Sequence, residues 1–128
     1  MIAAGIGCKR GAPAPDIEAA IHAALERAGL APDALDCIAT IAHKDGEAGL
    51  EAAAAKFGLT VVVVPETALQ AAGERTVTHS ERVVTLTGVP SVAEAAALAA
   101  AGPAARLIGP RLVFGAATCA LARSGDAP

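Results

Sequence analysis

The sequence predicts one three-layer α/β domain, in which helices cover both faces of a mainly parallel sheet and an antiparallel hairpin ends the chain. Short apolar runs alternate with segments of helical periodicity through the first seventy residues, which is typical of βαβ units. Two apolar runs separated only by a glycine turn near the end are typical of a hairpin. The length of 128 residues suits a single hydrophobic core.

The first part of the chain predicts three strands that alternate with three helices. The run MIAAGIG predicts the first strand, and Cys37 to Ile41 predict the second. The third, over 59–64, contains four consecutive valines, which predict a central strand covered on both faces. Apolar residues three to four apart predict the first helix, with Gly29 as its C-cap. The three predicted helices span 15–28, 47–57 and 66–72.

The second part of the chain predicts a loop, two helices and the hairpin. A polar loop over 73–79 is followed by a short helix from Ser80 that ends at Gly88. Ser91 and Glu94 have the spacing of a capping box, which begins an alanine-rich helix ending near residue 101. The predicted hairpin joins strands over 107–114 and 117–122 at Gly115. We assign residues 1–123 to the domain and 124–128 to a flexible tail.

Composition and charge exclude several classes of function. The chain has no Trp or Tyr and a formal net charge of -3, which argues against a nucleic-acid partner because stacking platforms and a broad basic face are both missing. The longest apolar stretch is interrupted by Glu94 and is too short to span a membrane. Three cysteines without C-x-x-C spacing predict neither a disulfide framework nor a zinc site. We expect a cytoplasmic protein without a membrane anchor, metal or cofactor.

The segment GIGCKRG, from Gly5 to Gly11, is the first candidate for a site. It fits neither the dinucleotide fingerprint nor the Walker loop. It leaves a predicted strand and enters a helix, so it lies at the carboxyl edge of the sheet, where ligands of such folds bind. Backbone N–H groups of Gly5, Gly7, Cys8 and Gly11, together with Lys9 and Arg10, would hold an anion there. The alternative is a flexible turn with two solvated cations.

Cys8, His43 and Lys44 are the candidates for catalysis. Neighbouring cations and a helix terminus would activate the Cys8 thiol, but no histidine is tied to it by a readable spacing, and a small residue tolerated in a turn explains it equally simply. His43-Lys44-Asp45 follows the second strand and so opens onto the same edge, which makes Lys44 a candidate ligand contact or otherwise part of a solvated loop. Cys37 and Cys119 lie in apolar strands and are predicted core residues.

Three further residues are candidate ligand contacts near the end of the chain. Gly88 and Ser91 belong to the stretch TGVPS, where the glycine is also typical of the end of one helix and the serine of the start of the next. Arg111, beside Pro110, is a further cation that would meet an anion or lie on an ordinary surface. The sequence does not decide between these alternatives.

Four segments together resemble the CobE/CbiG carboxyl-terminal domain family of cobalamin (vitamin B12) biosynthesis. They are GIGCKRG, DCIATIAHKDGEAGL, TGVPSVAEAAALAAAG and PRLVFGAATCALAR. The family usually has two arginines after the cysteine, where this chain has Lys9-Arg10, and a Pro-Lys where it has Pro110-Arg111. The match at Lys44 is direct. Because the chain is short, the resemblance is to the stand-alone form of the family.

The resemblance implies that the chain binds a precorrin or corrinoid tetrapyrrole, as a carrier or accessory protein. The alternative that it implies is a hydrolase that opens the lactone of (cobalt-)precorrin-5A with release of acetaldehyde. A third is a structural partner of other enzymes of the pathway. The acetate and propionate fringe of such a ring would be held by Lys9, Arg10, Lys44 and Arg111, which we expect to converge on one cleft. Because aromatics are scarce, the ring itself is expected to rest on aliphatic and glycine surface.

Overall fold

The computed structural model describes residues 1–8, 11–41, 48–73, 92–109 and 111–125, and within these ranges it has four α-helices and six strands. The helices are α1 (Ala14–Ala28), α2 (Ala48–Lys56), α3 (Glu66–Gly73) and α4 (Val92–Ala101). The strands are β1 (Ile2–Cys8), β2 (Cys37–Ile41), β3 (Val61–Val64), β4 (Arg106–Leu107), β5 (Leu112–Phe114) and β6 (Ala117–Arg123), and a 3₁₀ turn spans Pro32–Ala34. The predicted short helix from Ser80 to Gly88 lies outside the described residues.

The strands form one sheet in the order β3-β2-β1-β6-β4, and β5 also pairs with β6. The pairs β3–β2 and β2–β1 are parallel, whereas β6 is antiparallel to β1, β4 and β5. Five of the six strands therefore run in one direction and β6 alone runs in the other. The predicted α/β class, with parallel strands and antiparallel pairing at the end of the chain, is confirmed.

Strand β3 does not have the central position that its four valines predicted. It is the last strand of the described sheet on that side, and Val62 and Val63 are 39% and 37% exposed. Successive residues of a strand point to opposite faces, so neither helix layer fully covers β3. A run of β-branched residues indicates that a segment forms a strand, but it does not indicate the position of that strand in the sheet. The central position belongs to β1, which pairs with β2 and β6.

The predicted hairpin forms, with two corrections to its geometry. The single strand predicted over 107–114 is divided into β4 and β5. Leu107 pairs with Ala122 and Leu112 pairs with Cys119, so the four residues between β4 and β5 oppose only two residues of β6. Such a bulge interrupts a strand that the hydrophobic pattern reads as continuous. The second correction concerns its relation to the parallel strands, because β6 does not pair only within the hairpin but also pairs with β1 and lies inside the sheet.

Two hydrophobic clusters, one on each face of the sheet, give the three layers. Ile2, Ala4 and Ile6 of β1 pack in the cluster that includes α1 and α2, and Ala3 packs in the cluster that includes α3 and α4. This alternation along β1 follows from the two-residue period of a strand. The small residues of α4 let it lie close to the sheet, and its buried positions include Ala93, Ala97 and Leu98.

The two ends of the described chain meet at the amino edge of the sheet. The backbone N–H of Ser124 donates to the Met1 carbonyl at 2.9 Å, and the Met1 ammonium donates to Ser124 Oγ at the same distance. Ser124, which we assigned to the tail, is thus bonded to the first residue, and residues 126–128 of the predicted tail lie outside the described ranges. No helix within those ranges is long and apolar enough to cross a membrane.

Candidate functional site

The carboxyl ends of β1 and β2 lie side by side. The two strands pair in parallel with Gly5 opposite Ala39, and β1 ends at Cys8 while β2 ends at Ile41. Thr40 Oγ1 donates to the Ile6 carbonyl at 3.1 Å, a buried hydrogen bond that ties the strands together just before they end. The chain continues from these two neighbouring strand ends into residues 9–10 and 42–47. Lys9, Arg10, His43 and Lys44 lie outside the described residues, so their convergence stays a prediction.

Three helices begin at this same edge. A Cβ built on Gly49, at the start of α2, would lie 2.2 Å from the Ala12 carbonyl oxygen and 3.2 Å from Ala14 N, so α1 and α2 begin side by side. A Cβ built on Gly7 would lie 4.0 Å from Ala93 N, which brings the start of α4 over the end of β1. The unpaired N–H groups of helix amino ends favour anions.

The glycines of GIGCKRG differ in their structural roles. Gly5 to Cys8 belong to β1, so the connecting segment is shorter than the motif suggested. A Cβ on Gly5 would lie 1.9 Å from the Ala93 carbonyl oxygen, so Gly5 permits the close packing of α4 on the sheet. Among the described residues, the nearest atoms to the Cβ position of Gly7 lie at 4.0 Å, and Gly11 is exposed with a φ of 75°. A ligand contact at these glycines stays a prediction.

Arg111 is held in place by a buried carboxylate. Its backbone N–H donates to Glu94 Oε2 at 2.9 Å, and Glu94 is 0% exposed in the first turn of α4. Since a buried charge is stable only when it is hydrogen-bonded or paired, this bond fixes the start of β5 against the start of α4. The structure thus brings Arg111, among the predicted contacts, close to the helix that begins over Gly7.

A second carboxylate holds the other end of β5. Asp16 Oδ2, in the first turn of α1, accepts a hydrogen bond from the Ala116 backbone N–H at 3.1 Å. Gly115 has a φ of 57° in this two-residue turn, and a Cβ there would lie 2.5 Å from the same carboxylate oxygen, so any other residue would strain the turn and displace the carboxylate. The short strand is therefore bonded at both ends to helices on opposite faces of the sheet.

The described cysteines behave as core residues to different degrees. Cys119 is fully buried, and burial raises the pKa of its thiol to about 12, against a small opposing effect of the Arg27 charge. Cys37 is only half-buried, and burial followed by the negative charge of Asp36 raises the pKa of its thiol. Neither thiol is activated as a nucleophile, since reactivity requires a lowered pKa.

The described residues contain no cluster of three or more His, Cys, Asp or Glu side chains that could hold a metal. A cleft of about 380 Å³ lies away from the carboxyl edge, lined by Glu18, His22, Pro32, Asp33, Lys56 and Phe57. Pro32 and Asp33 precede β2, and Lys56 and Phe57 precede β3, so the cleft faces the amino ends of those strands. None of the predicted site residues that the structure describes lines it.

Comparison with known families decides the relationship that the four segments indicated. The family model described as cobalamin synthesis G C-terminus matches residues 2–122. The chain belongs to this family. It is thus a cobalamin biosynthesis protein with the fold of the CobE/CbiG carboxyl-terminal domain.

Relatives of known sequence or structure agree with this family membership. Protein CobE of Sinorhizobium sp is 38% identical over 118 residues, which are 92% of this chain and 77% of that protein. The crystal structure of CobE, a protein from the cobalamin biosynthetic pathway, superimposes with a TM-score of 0.89 at 35% identity, over 96% of this chain and 89% of the other. Cobalamin biosynthesis protein ChiG from Agrobacterium tumefaciens str. C58 gives 0.79 at 41% identity, over 98% and 100%.

A third solved structure extends the family to a larger protein. A putative cobalamin biosynthesis protein G homolog from Sulfolobus solfataricus has a TM-score of 0.69 at 25% identity. The match covers 98% of this chain but only 37% of that chain. The fold described above is therefore also found as one part of a longer chain.

The sequence did not predict the environment of two residues at the carboxyl edge of the sheet, Glu94 and Phe114. Glu94 was interpreted as half of a capping box, whose other half, Ser91, lies outside the described residues together with Gly88. An acid in the middle of the apolar run VAEAAALAAA is itself the signal of a buried, bonded carboxylate. Phe114 was interpreted only as part of a hairpin strand, although it is 47% exposed. The pattern of a single strand gives no signal for that exposure.

Proposed function

We propose that the chain binds a polycarboxylate tetrapyrrole intermediate of cobalamin biosynthesis at the carboxyl edge of its sheet, and that it holds the intermediate without converting it. The observation that supports this most is the parallel pairing of β1 with β2, which sets their ends side by side at Cys8 and Ile41. The segments that contain Lys9, Arg10 and Lys44 start from these adjacent ends. Family membership indicates the pathway, and cations at one edge would bind the carboxylates of its intermediates.

Charge complementarity is the physical basis of the proposal. Precorrins carry acetate and propionate side chains around the ring, and charge-assisted hydrogen bonds to several spaced cations would hold such a fringe. The amino ends of α1, α2 and α4 add the positive ends of three helix dipoles at the same edge. Arg111 joins them, since Glu94 fixes its backbone at the start of α4.

The second candidate is the lactone hydrolase. It is favoured by the position of Cys8 at the very end of β1, where a nucleophile would meet a ligand on the edge. The one described histidine does not support it, because His22 lines the cleft away from the carboxyl edge and its ring contacts that of Phe57 at a centroid distance of 5.0 Å. His43 and His79 lie outside the described residues, so a base for Cys8 stays a prediction.

The test is to mix the purified protein with a panel of precorrin intermediates and follow both retention and conversion. Visible spectra after gel filtration report retention, and mass spectrometry reports conversion. Retention with unchanged mass is the expected result. Loss of a two-carbon unit as acetaldehyde, abolished by Cys8→Ser, would replace the carrier by the hydrolase. If the wild-type protein neither retained nor converted any member of the panel, both candidates would be contradicted.

A further inference from the structure

Two arginines lie directly opposite each other at the amino edge of the sheet. In the antiparallel pairing of β4 with β6, Arg106 is the partner of Arg123, and both are exposed. Opposite residues of neighbouring antiparallel strands point to the same face, with their Cβ atoms about 5 Å apart. The next pair, Leu107 and Ala122, packs in the cluster of α3 and α4, so the two arginines lie together on the other face, that of α1.

This arginine pair has no acidic partner among the described residues. Within the described part of the chain, no hydrogen bond or ion pair joins either guanidinium group to another residue. The acid in the same row is Asp36, just before β2, but its Oδ2 accepts a hydrogen bond from the Ile2 backbone N–H at 2.7 Å. Ile2 separates it from Arg123, which places the two Cα atoms two strand spacings, or about 10 Å, apart. That carboxylate therefore serves the backbone of β1 and not the arginines.

Arg27 adds another positive charge to this side of the domain. It lies in the last turn of α1, and its Nη2 lies 3.5 Å from a Cβ built on Gly109, just after β4. The chain as a whole is acidic, with a formal net charge of -3, so this local excess of arginine does not follow from a basic composition. Like charges directly opposite each other in a sheet are destabilising, and an anion that binds only the folded protein would offset that cost.

We infer that Arg106 and Arg123 form a binding site for a phosphate group, free or carried by a small phosphorylated metabolite. Two neighbouring guanidinium groups present forked N–H donors, and a phosphate group offers several acceptor oxygens and a charge of about -2 at neutral pH. One phosphate therefore neutralises both cations, whereas one carboxylate neutralises only one of them. The site goes beyond the proposed function, because the pair lies at the edge of the sheet opposite to the candidate tetrapyrrole site.

The experiment titrates isotope-labelled protein with inorganic phosphate or glycerol 3-phosphate and follows the arginine Nε–H signals by NMR, with sodium chloride holding the ionic strength constant. The signals of Arg106 and Arg123 are expected to shift together with one dissociation constant. Arg106→Gln and Arg123→Gln should each weaken binding by about tenfold, because each removes one of two charge-assisted pairs. Tighter binding of the ester would assign the site to a phosphorylated metabolite, and equal binding would assign it to free phosphate.

Lys56→Gln is the matched control for these substitutions. Lys56 is an exposed cation in the last turn of α2, which leads to β3 on the other side of the sheet. Its replacement should leave the affinity for both phosphate probes unchanged. A loss as large as that of Arg106→Gln would show that phosphate responds to net charge and not to the arginine pair, which would overturn the site.

Thermal unfolding gives a second readout. Phosphate should raise the melting temperature of the wild type, and this increase should be absent when both arginines are replaced by Gln. In chloride alone, the double variant should be at least as stable as the wild type, because the repulsion between the two cations is removed. Equal phosphate affinities for wild type and double variant would overturn the site. Loss of uroporphyrin III retention by the double variant would overturn it too, since the pair would then belong to the tetrapyrrole site.

Discussion

The backbone N–H of Arg111 lies 2.9 Å from Oε2 of the fully buried Glu94. Seventeen residues separate the two in sequence, and the bond joins the first turn of α4 to the beginning of β5. Removing one partner of a buried hydrogen bond leaves the other without its acceptor, which destabilises more than the bond itself contributes. Glu94 is therefore a structural support of the candidate site.

Glu94→Ala should lower the free energy of unfolding by about 1.5–3 kcal/mol, the range for a lost hydrogen bond to a charged group. Glu94→Gln keeps an oxygen acceptor and should lose about 1 kcal/mol. Urea unfolding followed by circular dichroism measures both. Glu51→Ala, an exposed acid in the first turn of α2, is the control and should stay within about 0.5 kcal/mol. Equal losses for Ala and Gln at position 94 would contradict the role of the acceptor.

Gly5→Ala should destabilise the fold by about 3 kcal/mol or more, because the added methyl overpacks against backbone that cannot turn away. Its Cβ would lie 1.9 Å from the Ala93 carbonyl oxygen and 2.6 Å from Ala97 N. Gly7→Ala is the matched control on the same strand, since the nearest atoms lie 4.0 Å from its Cβ position. It should preserve the melting temperature. A Gly5→Ala protein as stable as Gly7→Ala would show that α4 can move away from β1.

Arg10→Ala and Lys44→Ala should each weaken retention of the tetrapyrrole by about 1.5–3 kcal/mol, with the lower end applying if the groups are exposed. Binding should also weaken as salt rises, because salt screens exposed charges. Titrations at low and high ionic strength measure both effects. Arg123→Ala removes a cation at the opposite edge, where Arg123 pairs with Ile2, and should leave affinity unchanged. Affinity insensitive to both site substitutions and to salt would require a different site.

The Cys119 thiol predicts how stability depends on alkaline pH. Burial raises its pKa from 9.0 to about 12 in the folded protein, so the unfolded chain loses this proton first. The contribution is complete below pH 9 and is lost as pH rises toward 12, with a slope of up to about 1.4 kcal/mol per pH unit. Cys119→Ala should flatten the slope of unfolding free energy between pH 9 and 10.5, whatever its effect on stability at pH 7. Parallel slopes for the two proteins would show that Cys119 is not the group concerned.

The sequence by itself determined the fold class and most of the described elements. The spacing of apolar residues and the glycines at the ends of elements predicted α1 with its cap at Gly29, β2 over Cys37–Ile41, and the hairpin turn at Gly115. These follow from local physics, because a glycine with positive φ and an apolar period depend on neighbours in sequence. The motifs also indicated the family, since they preserve residue types at fixed spacings.

Only the tertiary structure decided where those elements lie and what they contact. Four valines predicted a strand, but its place at the side of the sheet depends on how β1 pairs with β2 and β6. Likewise, nothing local to Glu94 predicts that it accepts a hydrogen bond from Arg111, and nothing local to Phe114 predicts that it stays exposed in a row with Cys8. These are contacts between residues distant in sequence, and the free energy that selects them comes from the packing of the whole domain.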